Sequence, residues 1–150
     1  MNDLRELYQE VILDHSKRPR NFRALADANR SAEGHNPLCG DRATVYLRVE
    51  DDVVREASFE GSGCSISTAS ASMMTDALRG KTLGEVRHMF ESFHELVTAD
   101  PSKTQTAAAE LGKLAAFAGV HEFPMRVKCA SLAWHTMKAA LDGGQKATTE

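Results

Sequence analysis

The chain has 150 residues, 42% of them hydrophobic and 26% charged, with 18 basic residues against 21 acidic ones. That length predicts one domain over 1–150 that buries a core without disulfide or metal staples. The nearly balanced charge gives no general pull towards nucleic acid or membrane, and no apolar run approaches membrane-spanning length. Asp3, Glu6 and Glu10 make the first stretch unlike a secretory signal or an acid-poor transit peptide. An odd count of three cysteines argues against a disulfide framework, so the expected setting is a reducing cytoplasm.

Leu4, Leu7, Tyr8, Val11 and Ile12 recur at helical spacing and predict an amphipathic helix over 3–15, with Asp3 and Glu6 placed as a capping box. Pro19 stops it. The cations Lys17, Arg18, Arg20 and Arg23 read as a solvated surface stretch, with docking on an acidic partner as the other reading. A short strand near 30–35 is expected to pair with a hairpin of strands 43–50 and 53–60, joined at Asp51-Asp52. In that hairpin Val45, Leu47 and Val49 share one face, as do Ala57 and Phe59.

Helical patterns follow over 65–79, closed by Gly80, and from Leu83 to Val97, opened by a capping box of Thr82 and Glu85. Further helices are expected over 104–118, with Leu111, Leu114, Ala115 and Ala118 inward, and over about 125–141 after Pro124. Residues 143–150 read as a disordered tail. Strands segregated from helices predict an α+β fold, a small antiparallel three-stranded sheet covered by about five helices.

The cysteines occupy distinct settings. Cys39 lies in Asn36-Pro37-Leu38-Cys39-Gly40-Asp41, Cys64 follows Gly61-Ser62-Gly63 where strand gives way to helix, and Cys129 falls near the start of the last helix. Helix N-termini favour a thiolate, so the latter two are expected to have lowered pKa values. Taken singly, each cysteine also reads as a small buried hydrophobe and Asp41 as a turn residue. Together, three thiolates and one carboxylate make a four-ligand set acceptable to zinc or to an iron–sulfur cluster. Arg42, Arg126 and Lys128 stand beside ligands, where cations would offset an anionic centre; the other reading is ordinary surface bases. His35 is near Cys39 but reads as a loop histidine, and Met73, Met74 and Met89 read as core filler.

Four stretches resemble the U-type iron–sulfur cluster assembly proteins (the IscU, SufU and NifU N-terminal-like group), most closely the SufU branch. They are Asp14-His15 through Pro19-Arg20-Asn21, Asn36 through Asp41, Phe59 through Ser67, and Arg126 through Trp134. Two departures from the scaffold type favour that branch: Lys128 stands where the scaffold has a histidine before the third cysteine, and the segment between Cys64 and Cys129 is long.

The resemblance implies a zinc-dependent sulfurtransferase with zinc on Cys39, Asp41, Cys64 and Cys129. It implies a SufS-type cysteine desulfurase as partner, Cys39 as the nucleophile that takes persulfide sulfur, and a downstream scaffold such as the SufBCD complex. It further implies that a partner histidine displaces Cys39 from zinc and that Arg126 docks on the partner. The alternatives are an iron–sulfur cluster scaffold using the same ligands, which would be no enzyme, and a purely structural zinc site.

Overall fold

The computed structural model describes residues 3–37, 40–144 and 146–148. The chain begins with helix α1 (Asp3–Lys17) and continues through strands β1 (Arg30–Asn36), β2 (Asp41–Glu50) and β3 (Val53–Ser62). Helices α2 (Ser65–Leu78), α3 (Leu83–Thr98), α4 (Gln105–Leu111) and α5 (Pro124–Leu141) follow, with a 3-10 segment, Gly112–Glu122, between the last two. A strand of three residues, β4 (Lys146–Thr148), ends the described chain. This is the expected α+β arrangement, with the antiparallel β1–β2–β3 sheet at its centre.

Alternation sets the sheet. Ala43, Val45, Leu47 and Val49 of β2 are buried, while Arg42, Thr44, Tyr46 and Arg48 face the other way. Asp51 and Asp52 both have positive φ, the backbone of a two-residue type I′ hairpin turn that matches the twist of its strands. Helices α2 and α5 cover the apolar face, and α3 and the 3-10 segment build outward from them. The centre of the core is aromatic: Trp134 of α5 stacks on Phe93 of α3 with centroids 4.5 Å apart, and Phe93 meets Phe117 edge-on at 5.7 Å.

The capping box expected at Thr82 is present: the Glu85 N–H donates to Thr82 Oγ1 and the Thr82 N–H to Glu85 Oε1. The Asp3 side chain expected to cap α1 lies outside the described residues. Leu7 of the α1 stripe is exposed rather than inward; α1 packs mainly along α2 and the 3-10 segment.

Two expectations are corrected. The helix read over 104–118 ends at Leu111, because Gly112 takes φ +58°, which an α-helix cannot continue through. The chain then tightens into 3-10 turns that bury Phe117 and Val120, while Ala118 is only half-buried. The polar end of the chain contributes β4, paired parallel to β1 at Glu33–His35, in place of a tail without structure.

The segment joining α1 to β1 is tied to α2 by side chains from the Asp14–Asn21 stretch. His15 is buried, and its Nδ1 lies 2.7 Å from Ser72 Oγ. The Arg20 N–H donates to the same hydroxyl at 2.8 Å, and Asn21 Nδ2 donates to Thr75 Oγ1 at 3.1 Å. Arg20 pairs with Asp14 at 2.6 Å and Arg23 with Glu56 at 3.3 Å. Two of the four cations of the basic stretch are thus engaged within the molecule. Among the described residues no helix is long and apolar enough to cross a membrane.

Candidate metal centre

One end of the sheet collects the cysteine-bearing segments. β1 and β2 are joined there by a short loop, across which the Gly40 N–H donates to the Asn36 carbonyl at 2.8 Å. Gly40 takes φ +79°, a conformation that favours glycine and lets the loop return into β2. Asp41 opens β2 on the buried face. β3 ends beside it, and the chain turns at Gly63 and Cys64 into α2. α5 packs across β1 and β2 and brings Cys129 to the same point. Ser70 of α2 donates to the Ala130 carbonyl of α5 at 2.6 Å, a buried bond that fixes the two helices beside the site.

Asp41, Cys64 and Cys129 come together there, with ligand atoms all within 4.8 Å of one another. Cys64 is the N-cap of α2: its backbone is extended (φ −72°, ψ 170°) and its Sγ accepts the Ser67 N–H at 3.4 Å. Its own N–H donates to Asp41 Oδ1 at 3.2 Å, and its Sγ lies 3.8 Å from Asp41 Oδ2. Asp41 is buried, whereas Cys64 is exposed at the rim.

Cys129 departs from expectation. It lies in the second turn of α5, whose first residue is Pro124, and it is buried. Burial pushes its thiol well above the usual cysteine range, and hydrogen bonding to Cys64 and Asp41 pushes the same way. A place near the helix start predicts a lowered pKa; desolvation and neighbouring acidic groups outweigh the helix end, whose influence fades within a turn.

Two thiols and a carboxylate this close, one thiol disfavouring its own charge, form an anion-forming cluster that a divalent cation would neutralise. The donor set fits zinc or iron, with thiolate sulfur and carboxylate oxygen both accepted ligands. Cys39, the fourth predicted ligand and the predicted nucleophile, lies outside the described residues. The sequence places it two residues before Asp41.

The predicted cations are placed differently from one another. Arg42 is exposed and alternates to the sheet face opposite Asp41, as does His35, its partner across the ladder. Arg126 is exposed one turn before Cys129, its guanidinium 4.5 Å from the ring centre of Phe123. Lys128 is half-buried beside Cys129. Phe123 and Met125, 46% and 45% exposed, place large apolar side chains at this helix start, a feature without a signal in the sequence pattern. The broad surface grooves along Arg30, Glu33 and Tyr46 and along Asp76, His88 and Glu110 contain none of the predicted ligands. Cys64 stands at the exposed rim of the cluster, with Asp41 and Cys129 buried behind it.

The chain matches the family described as NifU-like N terminal domain over residues 7–141. It is 40% identical over 141 residues to the iron–sulfur cluster assembly scaffold protein IscU of Streptococcus pyogenes serotype M1, covering 94% of this chain and 86% of that protein. It is 41% identical over 136 residues to the zinc-dependent sulfurtransferase SufU of Bacillus subtilis (strain 168), covering 91% and 90%. A solved structure from Fervidobacterium islandicum AW-1, described as a candidate iron–sulfur cluster assembly scaffold protein for the SUF system, superposes with a TM-score of 0.79. That protein is 34% identical, and the match covers 91% of this chain and 97% of that one. Fold, the clustered cysteines and these likenesses over nearly the whole chain agree: the protein belongs to the U-type iron–sulfur cluster assembly family.

Proposed function

We propose that this protein is a zinc-dependent sulfurtransferase that receives sulfur from a SufS-type cysteine desulfurase. The observation that carries the reading is the cluster of Asp41, Cys64 and Cys129, deep on one side and open at Cys64 on the other. Such a centre is reachable by a second protein without a channel. The Bacillus subtilis relative described as a zinc-dependent sulfurtransferase supports it, as does Lys128 in place of a histidine before Cys129.

Asp41, Cys64, Cys129 and Cys39 would hold the ion. Zinc bound there supplies positive charge that keeps the thiols ionised at neutral pH. The buried Asp41, fixed by the Cys64 N–H, orients the cluster, and Ser67 donates to the Cys64 sulfur. Sulfur transfer is an exchange without net oxidation. The Cys39 thiolate attacks the terminal sulfur of the desulfurase persulfide, a new S–S bond forms at Cys39 as the old one breaks, and the desulfurase cysteine leaves as thiolate. Arg126, exposed beside Phe123 and Met125, would dock on the partner, while Lys128, half-buried beside Cys129, would moderate the charge around the site and Arg42, on the opposite sheet face, would act only from a distance. The acceptor of the sulfur would be a cluster scaffold of the SufBCD type.

The test is the stimulation of a SufS-type desulfurase by the full chain. Cys39→Ala should abolish stimulation while zinc remains bound, and Arg126→Ala should keep zinc and lose stimulation. Full stimulation by the Cys39 variant would sink the reading. The scaffold reading is favoured by the Streptococcus relative described as a scaffold. A brown protein carrying iron and sulfide, and passing a cluster to an acceptor apoprotein, would replace the first reading with this one.

A further inference from the structure

We propose that Gly63 is a positioning residue of the metal centre: the space left by its missing side chain is the seat of the Asp41 carboxylate. The inference rests on the reading of Asp41 as a ligand, but it assigns the position of that ligand to a different residue. A Cβ at position 63 would lie 2.7 Å from Asp41 Oδ1 and 2.9 Å from Asp41 Cγ, inside van der Waals contact. The positive-φ glycines among the described residues are Gly40, Gly80, Gly112 and Gly143. Residue 63 is not one of them, so what it needs from glycine is space, not an unusual dihedral.

The seat has two walls. The bare Cα of Gly63 lets the carboxylate approach, and the next peptide N–H, from Cys64, donates to Oδ1 at 3.2 Å. With Oδ1 held, Oδ2 remains on the side of the Cys64 sulfur, 3.8 Å away. Asp41 is 3% exposed, so the carboxylate is seated inside the protein. Asp41, Cys64 and Cys129 therefore form a three-ligand platform held by contacts within the protein.

The contacts below 3.0 Å at position 63 are with the tip of a side chain and not with backbone. Gly63→Ala should therefore turn the carboxylate out of its seat and leave the fold standing. The experiment uses the full chain, with Co²⁺ as a coloured probe for the zinc position. Co²⁺ affinity and ligand-field absorption are measured for the parent, Gly63→Ala, Asp41→Ala and the double variant, together with metal-free melting.

Gly63→Ala is expected to weaken Co²⁺ binding about tenfold or more. Its metal-free melting temperature should move by less than about 4 °C. In the Asp41→Ala background the same change should weaken binding no further, because the two act through one carboxylate. Parent-like affinity in Gly63→Ala, or an equal loss with and without Asp41, would overturn the proposal. Should Gly63→Ala fail to fold, the double variant decides: without the carboxylate the added methyl has room and the protein should fold like Asp41→Ala, and failure there also overturns the proposal. If Asp41→Ala itself binds Co²⁺ like the parent, the ligand reading of Asp41 fails, which is a separate result from a fault in Gly63.

Discussion

The two described thiols of the centre both lie near helix starts, yet their surroundings differ sharply. Cys64 sits outside α2 as its cap, exposed, with a backbone N–H pointed at its sulfur. Cys129 sits inside α5, buried against another thiol and a carboxylate, and its neutral form is favoured. Nearness in sequence to a helix start does not set a thiol's charge; capping geometry and access to water do. The exposed thiol is open to solvent and the buried one is held in the core.

The largest expected effect separating the two is reactivity. In the metal-free protein near neutral pH, Cys64 should alkylate at least about tenfold faster than Cys129, because Cys64 is exposed whereas Cys129 is buried and burial disfavours its thiolate. Equal rates, read by mass spectrometry of labelled peptides, would erase the distinction. Stability comes next. Cys129→Ser should cost the metal-free protein about 1–3 kcal/mol, because a hydroxyl replaces a thiol in a buried place. Cys64→Ser should cost nothing or add a few tenths of a kcal/mol, serine being a favoured cap. Chemical denaturation of the two variants checks both values.

Acid tests the support behind Cys64. His15, hydrogen-bonded to Ser72 of α2, has its pKa lowered, first by burial and then by Arg20, against smaller opposing pulls from Asp14 and Asp76 and with the least contribution from Lys113. A histidine with a depressed folded-state pKa contributes stability that is full above its ordinary pKa of 6.5 and is lost as pH falls below it. The urea midpoint of the metal-free protein should therefore fall below about pH 6.5. His15→Gln should flatten that acid limb; an unchanged limb would remove His15 as its cause. The smallest effect belongs to a region remote from both thiols. Replacing Asp51-Asp52 with Asn-Gly should raise stability by up to about 1 kcal/mol, since glycine takes positive φ without strain. It should leave both alkylation rates as they were.

What could be read in the sequence was what neighbours in the chain determine. The alternation of Val45, Leu47 and Val49 and the pairing of Thr82 with Glu85 need only local geometry, and both are present. The clustering of Asp41, Cys64 and Cys129 was also legible, though through their donor chemistry and a family resemblance, because no short spacing joins them. What escaped depends on contacts across the fold. The burial that controls Cys129 comes from elements packed around α5, and the Ser72 that holds His15 is 57 residues away from it. The parallel pairing of β4 on β1 left no trace in a polar tail. The break at Gly112 competed with an uninterrupted apolar pattern, and backbone conformation prevailed. The glycines around Cys64 stand out in the sequence as a group, but only the approach of Asp41 shows that Gly63 is needed for its emptiness.

The cluster draws on three distant parts of the chain: the hairpin between β1 and β2, the junction of β3 with α2, and the final long helix. An ion shared by Asp41, Cys64 and Cys129 is then a cross-link that closes two loops, one of them spanning α2, α3 and α4. Closing such loops removes freedom from the unfolded chain, and the gain grows only slowly with their length. An ion bound there would thus hold the first half of the molecule to the last, adding about 4 kcal/mol when present at a thousand times its dissociation constant. Loss of metal would loosen the whole chain as well as silence the site.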